Sequence, residues 1–438
     1  MSRLMIRNAV LGLSGELADI EIVDGTIASL TAPGVLAADE SFDAAGRCVL
    51  PGFVDCHTHA CWSGCRLDEW QQCLAGASYL DTLNAGGGIM STVRAVRDAS
   101  QTQLTDELLG RLNTCLRHGT TTIEVKSGYG LSLEGELKML RAIHEADRRW
   151  PGTIVPPACI GHAKDRAVDD PVGLTINEIL PAVSSEFPGI TVDAYCEEGA
   201  WSREESLRLF DAAMDSGHPV RVHADQFNDL GMIPEATRRG FRSVDHLEAS
   251  TPAHLQELAE SDLFGVMLPM CGWHLDERYA DGRAFLDWGG SLALGSNLNP
   301  GSAPCYSMAA VAAQATRKLG VSVESALESL SASPARLLGF SDRGRSDKYG
   351  AAACGSSTQP IERRRAFRRD TTYTRAASGP YYRCVSRIPR LNHREADAAR
   401  EAADRVVTTH ERLAEFVRAG QTLAEIDAFV AAALSDLK

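Results

Sequence analysis

No apolar run in this chain of 438 residues reaches the roughly 18–20 residues of a membrane span. The opening Met1-Ser2-Arg3-Leu4-Met5-Ile6-Arg7 leads into acidic, turn-rich sequence and not into the apolar core of a signal peptide. Basic charge is also in deficit. A formal net charge of −14 argues against nucleic acid or an anionic membrane as the main partner. Without a secretion signal, the twelve cysteines read as free thiols and not as a disulfide framework. These absences predict a cytoplasmic protein whose partner is a small molecule. What is present is globular: 44% hydrophobic and 23% charged residues can build a large core.

The stretch that organises the rest is Gly52-Phe53-Val54-Asp55-Cys56-His57-Thr58-His59, an apolar strand beginning near Cys48 and ending in two histidines. Side chains alternate along a strand, so His57 and His59 share a side, about 7 Å apart. Two imidazoles so placed can reach one divalent metal at roughly 2.0–2.1 Å. The plainer reading is a pair of surface histidines at a strand end.

Residues 1–47 carry short alternating strands (4–10, 18–23 and 26–30) and predict a small flanking β-domain. Gly86-Gly87-Gly88 then opens a loop. Further apolar strands are expected at 120–125, 154–161, 190–196, 220–223, 242–245, 264–268 and 292–295. Helices are expected between them at 106–118, 134–148, 203–216, 233–239 and 254–258. With the 48–54 run this makes eight strands, which predicts an α/β chain folded as a (β/α)8 barrel over 48–340. A doubly wound sheet is the rival on periodicity alone. Barrel active sites lie at the C-terminal strand ends. There the sequence places His57 and His59; Glu124, Lys126 and Tyr129; His162; Glu197 and Glu198; His223, Asp225 and Gln226; Asp245, His246 and Glu248; and Ser296 to Ser302. One histidine of this kind is most often a satisfied structural residue; five at barrel strand ends are hard to explain that way.

From about Leu50 to Gly339 the chain resembles the amidohydrolase superfamily and, within it, the imidazolonepropionase family. The resemblance rests on Pro51–His59, Ser63–Glu69, Ala85–Arg94, Glu124–Leu131, Asp193–Glu198, His223–Gln226, Val244–Glu248 and Asn299–Ser302. It implies a metal-dependent barrel, closed beside its small β-domain, that hydrolyses the cyclic amide 4-imidazolone-5-propanoate to N-formimidoyl-glutamate. It also implies one Zn²⁺ or Fe ion per subunit, held by His57, His59 and His223. The missing strand-four lysine fits a one-metal site. By the same resemblance Arg66 pairs with the propanoate carboxylate, and Tyr129, His162 and Gln226 meet the substrate. Asn299, Gly301 and Ser302 meet substrate or product, and His246 orients or polarises the attacked group. A homodimer is compatible with it. Tyr129 as a packing residue and Ser302 as a turn or cap are the plainer alternatives.

Two departures stand out. Where the family carries the Asp that serves as fourth metal ligand and proton acceptor, this chain has Asn297. An amide brings no negative charge and takes no proton from water, and loss of a general base costs on the order of 10²–10⁴ in rate. The sequence therefore leaves open rerouted hydrolysis through His246 or Glu248, an impaired metal- or carboxylate-binding relative, and a different ring. Trp201 and the Met270–His274 loop bear on the last of these. The second departure is at the C-terminus, where the small domain is incomplete. Residues 341–391 hold eleven arginines and one lysine against four acidic residues, with little apolar periodicity, as in a frameshifted or disordered segment. Residues 392–438 read as a helical hairpin, faintly similar to the opening helices of the methionine aminopeptidase and creatinase family.

Overall fold

The computed structural model describes residues 3–24, 26–37, 40–75, 87–275 and 277–340. The arginine-rich segment, the C-terminal helical hairpin and part of the Gly86-Gly87-Gly88 loop lie outside the described residues. A small sheet comes first, from β1 (Arg3–Leu11), β2 (Glu16–Val23), β3 (Thr26–Thr31), β4 (Glu40–Asp43) and β5 (Cys48–Val49). Its order is β3-β2-β1-β4, with β5 also paired to β1. The run expected to start one barrel strand at Cys48 therefore divides. Cys48 and Val49 pair with Val10 and Leu11 of the small sheet, and the barrel strand begins at Phe53, beyond Pro51 and Gly52. Proline lacks an N–H for a sheet ladder, so the break falls where pairing would fail.

The barrel is parallel. Its strands are β6 (Phe53–Asp55), β7 (Thr120–Glu124), β8 (Thr153–Val155), β9 (Ala158–Gly161), β10 (Val192–Cys196), β11 (Val220–Ala224), β12 (Ser243–His246), β13 (Phe264–Met267) and β14 (Ser291–Leu294). The ladders run β6-β7-β8 and β9 through β14. β8 and β9 flank Pro156-Pro157 and are the two halves of one expected strand, so eight staves result. The ring closes through the parallel bridge between Thr58 and Leu298, with His59 N donating to Leu298 O and Asn297 N to His57 O, both at 3.0 Å.

Helices wrap the outside for the usual reason: a one-sided apolar stripe. The Gln101–Arg117 helix, capped by Ser100, buries Leu104, Leu108, Leu112 and Cys115 at four- and three-residue steps. Burial stabilises by roughly 1.5–3 kcal/mol per large aliphatic side chain. The Arg203–Asp215 helix opens with a reciprocal cap between Ser202 and Glu205 and buries Leu209, Phe210 and Ala213. Among the described residues no helix is long and apolar enough to cross a membrane. Nine cysteines among the described residues are free thiols.

Candidate active site

The strand register places the site. On β10, β11 and β12 the pairs Asp193/Tyr195, Arg221/His223 and Ser243/Asp245 are each two residues apart, so each pair shares a face. Their Cα partners align Asp193 with Arg221, Tyr195 with His223, and His223 with Asp245. The upper barrel is consequently filled by a buried ion network in place of branched aliphatics. Lys126 Nζ bridges Glu124 at 2.6 Å and Asp193 at 2.7 Å. Arg221 donates to Asp245 Oδ2 at 2.6 Å and pairs with Glu124. Burial alone would raise the Asp193 carboxyl; the His223 ring hydrogen-bonded to it and the Lys126 ammonium hold it well below the usual range. Asp55 differs. Burial pushes it up to about 7, against the Ser296 hydrogen bonds that tie β6 to the segment after β14.

On this base sit the histidines. His57 Nδ1 lies 2.6 Å from Asp245 Oδ2, and His223 Nδ1 2.9 Å from Asp193 Oδ1. Each carboxylate fixes its ring and leaves Nε2 to face the barrel mouth, the arrangement that prepares a histidine for a metal. His57 Nε2 is buried without a hydrogen-bond partner among the described residues, as is His59 Nδ1. His59 Nε2 stands 3.1 Å from His223 Nε2. The ligand atoms of His57, His223 and His246 lie within 4.8 Å of one another. Burial drives His57 and His59 well below the ordinary histidine range and lowers His223, so the rings are neutral lone-pair donors. Buried orphan nitrogens on neutral imidazoles, backed by carboxylates, fit a divalent metal.

The remaining expected residues surround this centre. His162 stacks on His59 with ring centres 4.5 Å apart and planes at 10°, and its Nδ1 lies 3.0 Å from Gly128 O. Burial, reinforced by the neighbouring His223 ring, brings it down to about 3. Tyr129 is buried, its ring centre 6.0 Å from that of His59, and burial raises its phenol. Gln226 accepts from Tyr195 OH at 2.8 Å and donates to Cys271 Sγ at 3.3 Å. His246 lies 3.3 Å from Glu248; burial pulls the ring down, but the Glu248 charge and Cys271 raise it to about 10. Asn297 is buried with φ 54°, a left-handed conformation that asparagine tolerates. Asp225, His246 and Leu247 also have positive φ at strand ends, so strain is concentrated around the mouth.

Arg66 is near Gly301 as expected, but it is not free. Its Nε and Nη2 fork onto Glu69 Oε2 at 3.0 and 2.8 Å. A Cβ at residue 301 would collide with the guanidinium, so a larger residue there would push Arg66 from this position. Asn299 and Ser302 close their own turn: Asn299 Oδ1 accepts from Gly301 N and Ser302 N at 2.8 and 2.7 Å. Glu197 is a loop fastener, accepting from Phe227 N and Asn228 N. Trp201 is fully buried in the main core and does not reshape the mouth.

Sequence reasoning passed over Arg221 and gave Asp193, Asp245 and Cys271 no role. The signal was there for Arg221: a charge two residues before His223 in a buried strand must point inward with it. Cys271 carried no such signal, because it reaches His246 only through packing of the helix after β13.

The amidohydrolase family model matches residues 48–261. An imidazolonepropionase of Herpetosiphon aurantiacus is 39% identical over 335 residues, covering 71% of this chain and 78% of that protein. The chain belongs to the imidazolonepropionase family. A second member, from Symbiobacterium thermophilum, is 41% identical over 309 residues, 68% of this chain and 72% of its own. Among solved structures, the 5-methylcytosine deaminase of Klebsiella pneumoniae shares the fold at TM-score 0.61 and 16% identity, over 77% of this chain and 87% of that one. The expected amidohydrolase-type barrel is thus the fold of this imidazolonepropionase family member, and the chain is a hydrolase of cyclic amide C–N bonds.

Proposed function

We infer that this chain opens 4-imidazolone-5-propanoate by hydrolysis to N-formimidoyl-L-glutamate in histidine degradation. The observation that carries the reading is the pair of carboxylate-backed imidazoles, His57 and His223, with His59 Nε2 3.1 Å from His223 Nε2, in a chain of this family. An impaired metal- or carboxylate-binding relative is not favoured, because the curated proteins that this chain matches at 39% and 41% identity over about 70% of its length are imidazolonepropionases.

His57, His59 and His223 would hold the metal, Zn²⁺ or Fe, with Asn297 beside it as a neutral oxygen donor. When bound, the ion supplies a Lewis acid that polarises the amide carbonyl and brings water toward ionisation near neutrality. Asp245 and Asp193 hold the rings to one tautomer, and Lys126 and Arg221 pair with those carboxylates and keep them in place. Arg66 exchanges Glu69 for the propanoate carboxylate, a fork geometry that guanidinium favours. Tyr129, His162 and Gln226 face the ring, with Asn299, Gly301 and Ser302 shaping the wall under Arg66. His246 points its ring at the attacked carbonyl and polarises it. The small flanking domain takes its strands from residues 3–49, the catalytic barrel runs from 53 to 340, and the enzyme works in the cytoplasm. The test is turnover of imidazolonepropanoate by metal-loaded protein. Activity that a chelator removes and Zn²⁺ or Fe²⁺ restores is the expected result; metal-replete protein that leaves the ring closed overturns the reading.

A further inference from the structure

The Met270–His274 loop, which the reaction above does not use, holds a feature of its own. Cys271 sits on the short Pro269–His274 helix that follows β13, and it is 2% exposed. Ligand atoms of His246, Glu248 and Cys271 all lie within 4.8 Å of one another. The Glu248 side chain is 5% exposed, and its Oε2 lies 3.3 Å from His246 Nδ1 as an ion pair, with no hydrogen bond of its own among the described residues. A buried cysteine alone is ordinary packing. A buried carboxylate, imidazole and sulfur that converge within reach of one ion are not.

We propose that His246, Glu248 and Cys271 form a second cation site, selective for a thiophilic divalent ion such as Zn²⁺. The donors are one sulfur, one ring nitrogen and one carboxylate oxygen, a set zinc accepts at roughly 2.3, 2.0–2.1 and 2.0–2.2 Å. Donors on one tetrahedral ion stand roughly 3.3–3.8 Å apart at such bond lengths, so a group whose donors lie within 4.8 Å needs to contract by about 1.5 Å at most. The thiolate excludes Mg²⁺ and Ca²⁺, which take oxygen ligands. Gln226 Nε2, which now donates to Cys271 Sγ at 3.3 Å, can keep that bond to a coordinated sulfur.

The site has a consequence for catalysis, because His246 is also within ligand distance of His57 and His223. An ion at Cys271 engages the ring that otherwise faces the substrate, so this site is inhibitory. The binding half of the proposal is independent of the substrate; the inhibitory half rests on the role given to His246 above.

Full-length protein stripped of metal and titrated with Zn²⁺ in equilibrium dialysis tests the binding half, alongside Cys271→Ala and Glu248→Gln. Wild type is expected to take up one ion beyond the first. Cys271→Ala should lose that ion and keep the first, and Glu248→Gln should weaken it at least about tenfold. With Co²⁺, wild type should show a thiolate-to-cobalt charge-transfer band in the near ultraviolet that Cys271→Ala lacks. Cys271→Ser, which fills the same space, serves in its place if the alanine variant does not fold. Equal stoichiometry in wild type and the cysteine variant, or a second ion without the thiolate band, overturns the site. In turnover of imidazolonepropanoate, zinc beyond the first equivalent should cut the wild-type rate at least about tenfold and spare Cys271→Ala. Equal loss in both overturns the inhibitory role. If no protein turns over that substrate, the functional reading fails while the dialysis result stands by itself.

Discussion

At the scale of single residues, Asn297 and Arg66 set the sharpest expectations. Asn297 occupies a buried, left-handed position after β14, its N–H bound to His57 O at 3.0 Å and its C=O accepting from Asn299 at 2.6 Å. Those contacts are made by the backbone and do not depend on the side chain being an amide. Asn297→Asp should therefore leave the loop in place and restore a charged proton acceptor, raising kcat on imidazolonepropanoate by about 10²–10⁴; steady-state kinetics of the two proteins side by side checks this. Arg66→Lys keeps the charge but loses the fork. It should raise KM roughly tenfold with little change in kcat, because the contact is equally good in ground and transition states. The histidines were legible in the chain as residues, since each follows an apolar run. That Arg66 would be occupied by Glu69 was not, although the two are only three apart: the pair forms because a helical turn and the Gly301 loop bring both to one edge.

The element that best illustrates how local sequence builds this site is the turn Lys126-Ser127-Gly128-Tyr129-Gly130-Leu131 between β7 and the Leu133–Arg149 helix. Glu136, fully buried in the first turn of that helix, accepts from the N–H groups of Gly128, Gly130 and Leu131 at 3.0, 2.8 and 2.9 Å. Gly130 runs against the helix backbone so closely that a Cβ would meet Gly135 and Glu136. The turn is thus a clamp that holds Tyr129 over His59 and His162. Glu136→Ala leaves three buried N–H groups unsatisfied and should destabilise the protein by roughly 3 kcal/mol or more, read as a fall in the urea midpoint. The same variant should raise KM, since Tyr129 loses its seat. Glycines and a tyrosine in this stretch announced a special loop. The glutamate that fixes it lies in what the periodicity marks as ordinary helix, and only its burial shows what it does.

Over the whole molecule, the site lies on the seam where the barrel's first and last staves meet. Asp55 and His57 come from one side of that seam, Ser296 and Asn297 from the other, and Thr58 pairs with Leu298 across it. A cation gripped by His57, His59 and His223 would tie parts of the chain more than 160 residues apart, His59 and His223 being separated by 164. Such a ligand binds only the closed barrel, so stability should rise with its concentration, by about 2.7 kcal/mol at a hundredfold excess over Kd. Thermal unfolding with and without chelator checks this: metal-replete protein should melt higher, and His223→Ala should erase the difference. The succession of apolar runs, helices and strand-end histidines was enough to mark a parallel β–α repeat with its polar residues at the strand ends, because side-chain alternation and that repeat are properties of adjacent residues; that the repeat closes into a barrel and not a doubly wound sheet was decided by the pairing of its first and last segments. Which carboxylate backs which imidazole, that Arg221 and Lys126 hold those carboxylates, and that Cys271 meets His246 and Glu248 were decided only by the closed tertiary fold. Those contacts depend on stave register and on lateral packing across the barrel, and no local pattern along the chain encodes either.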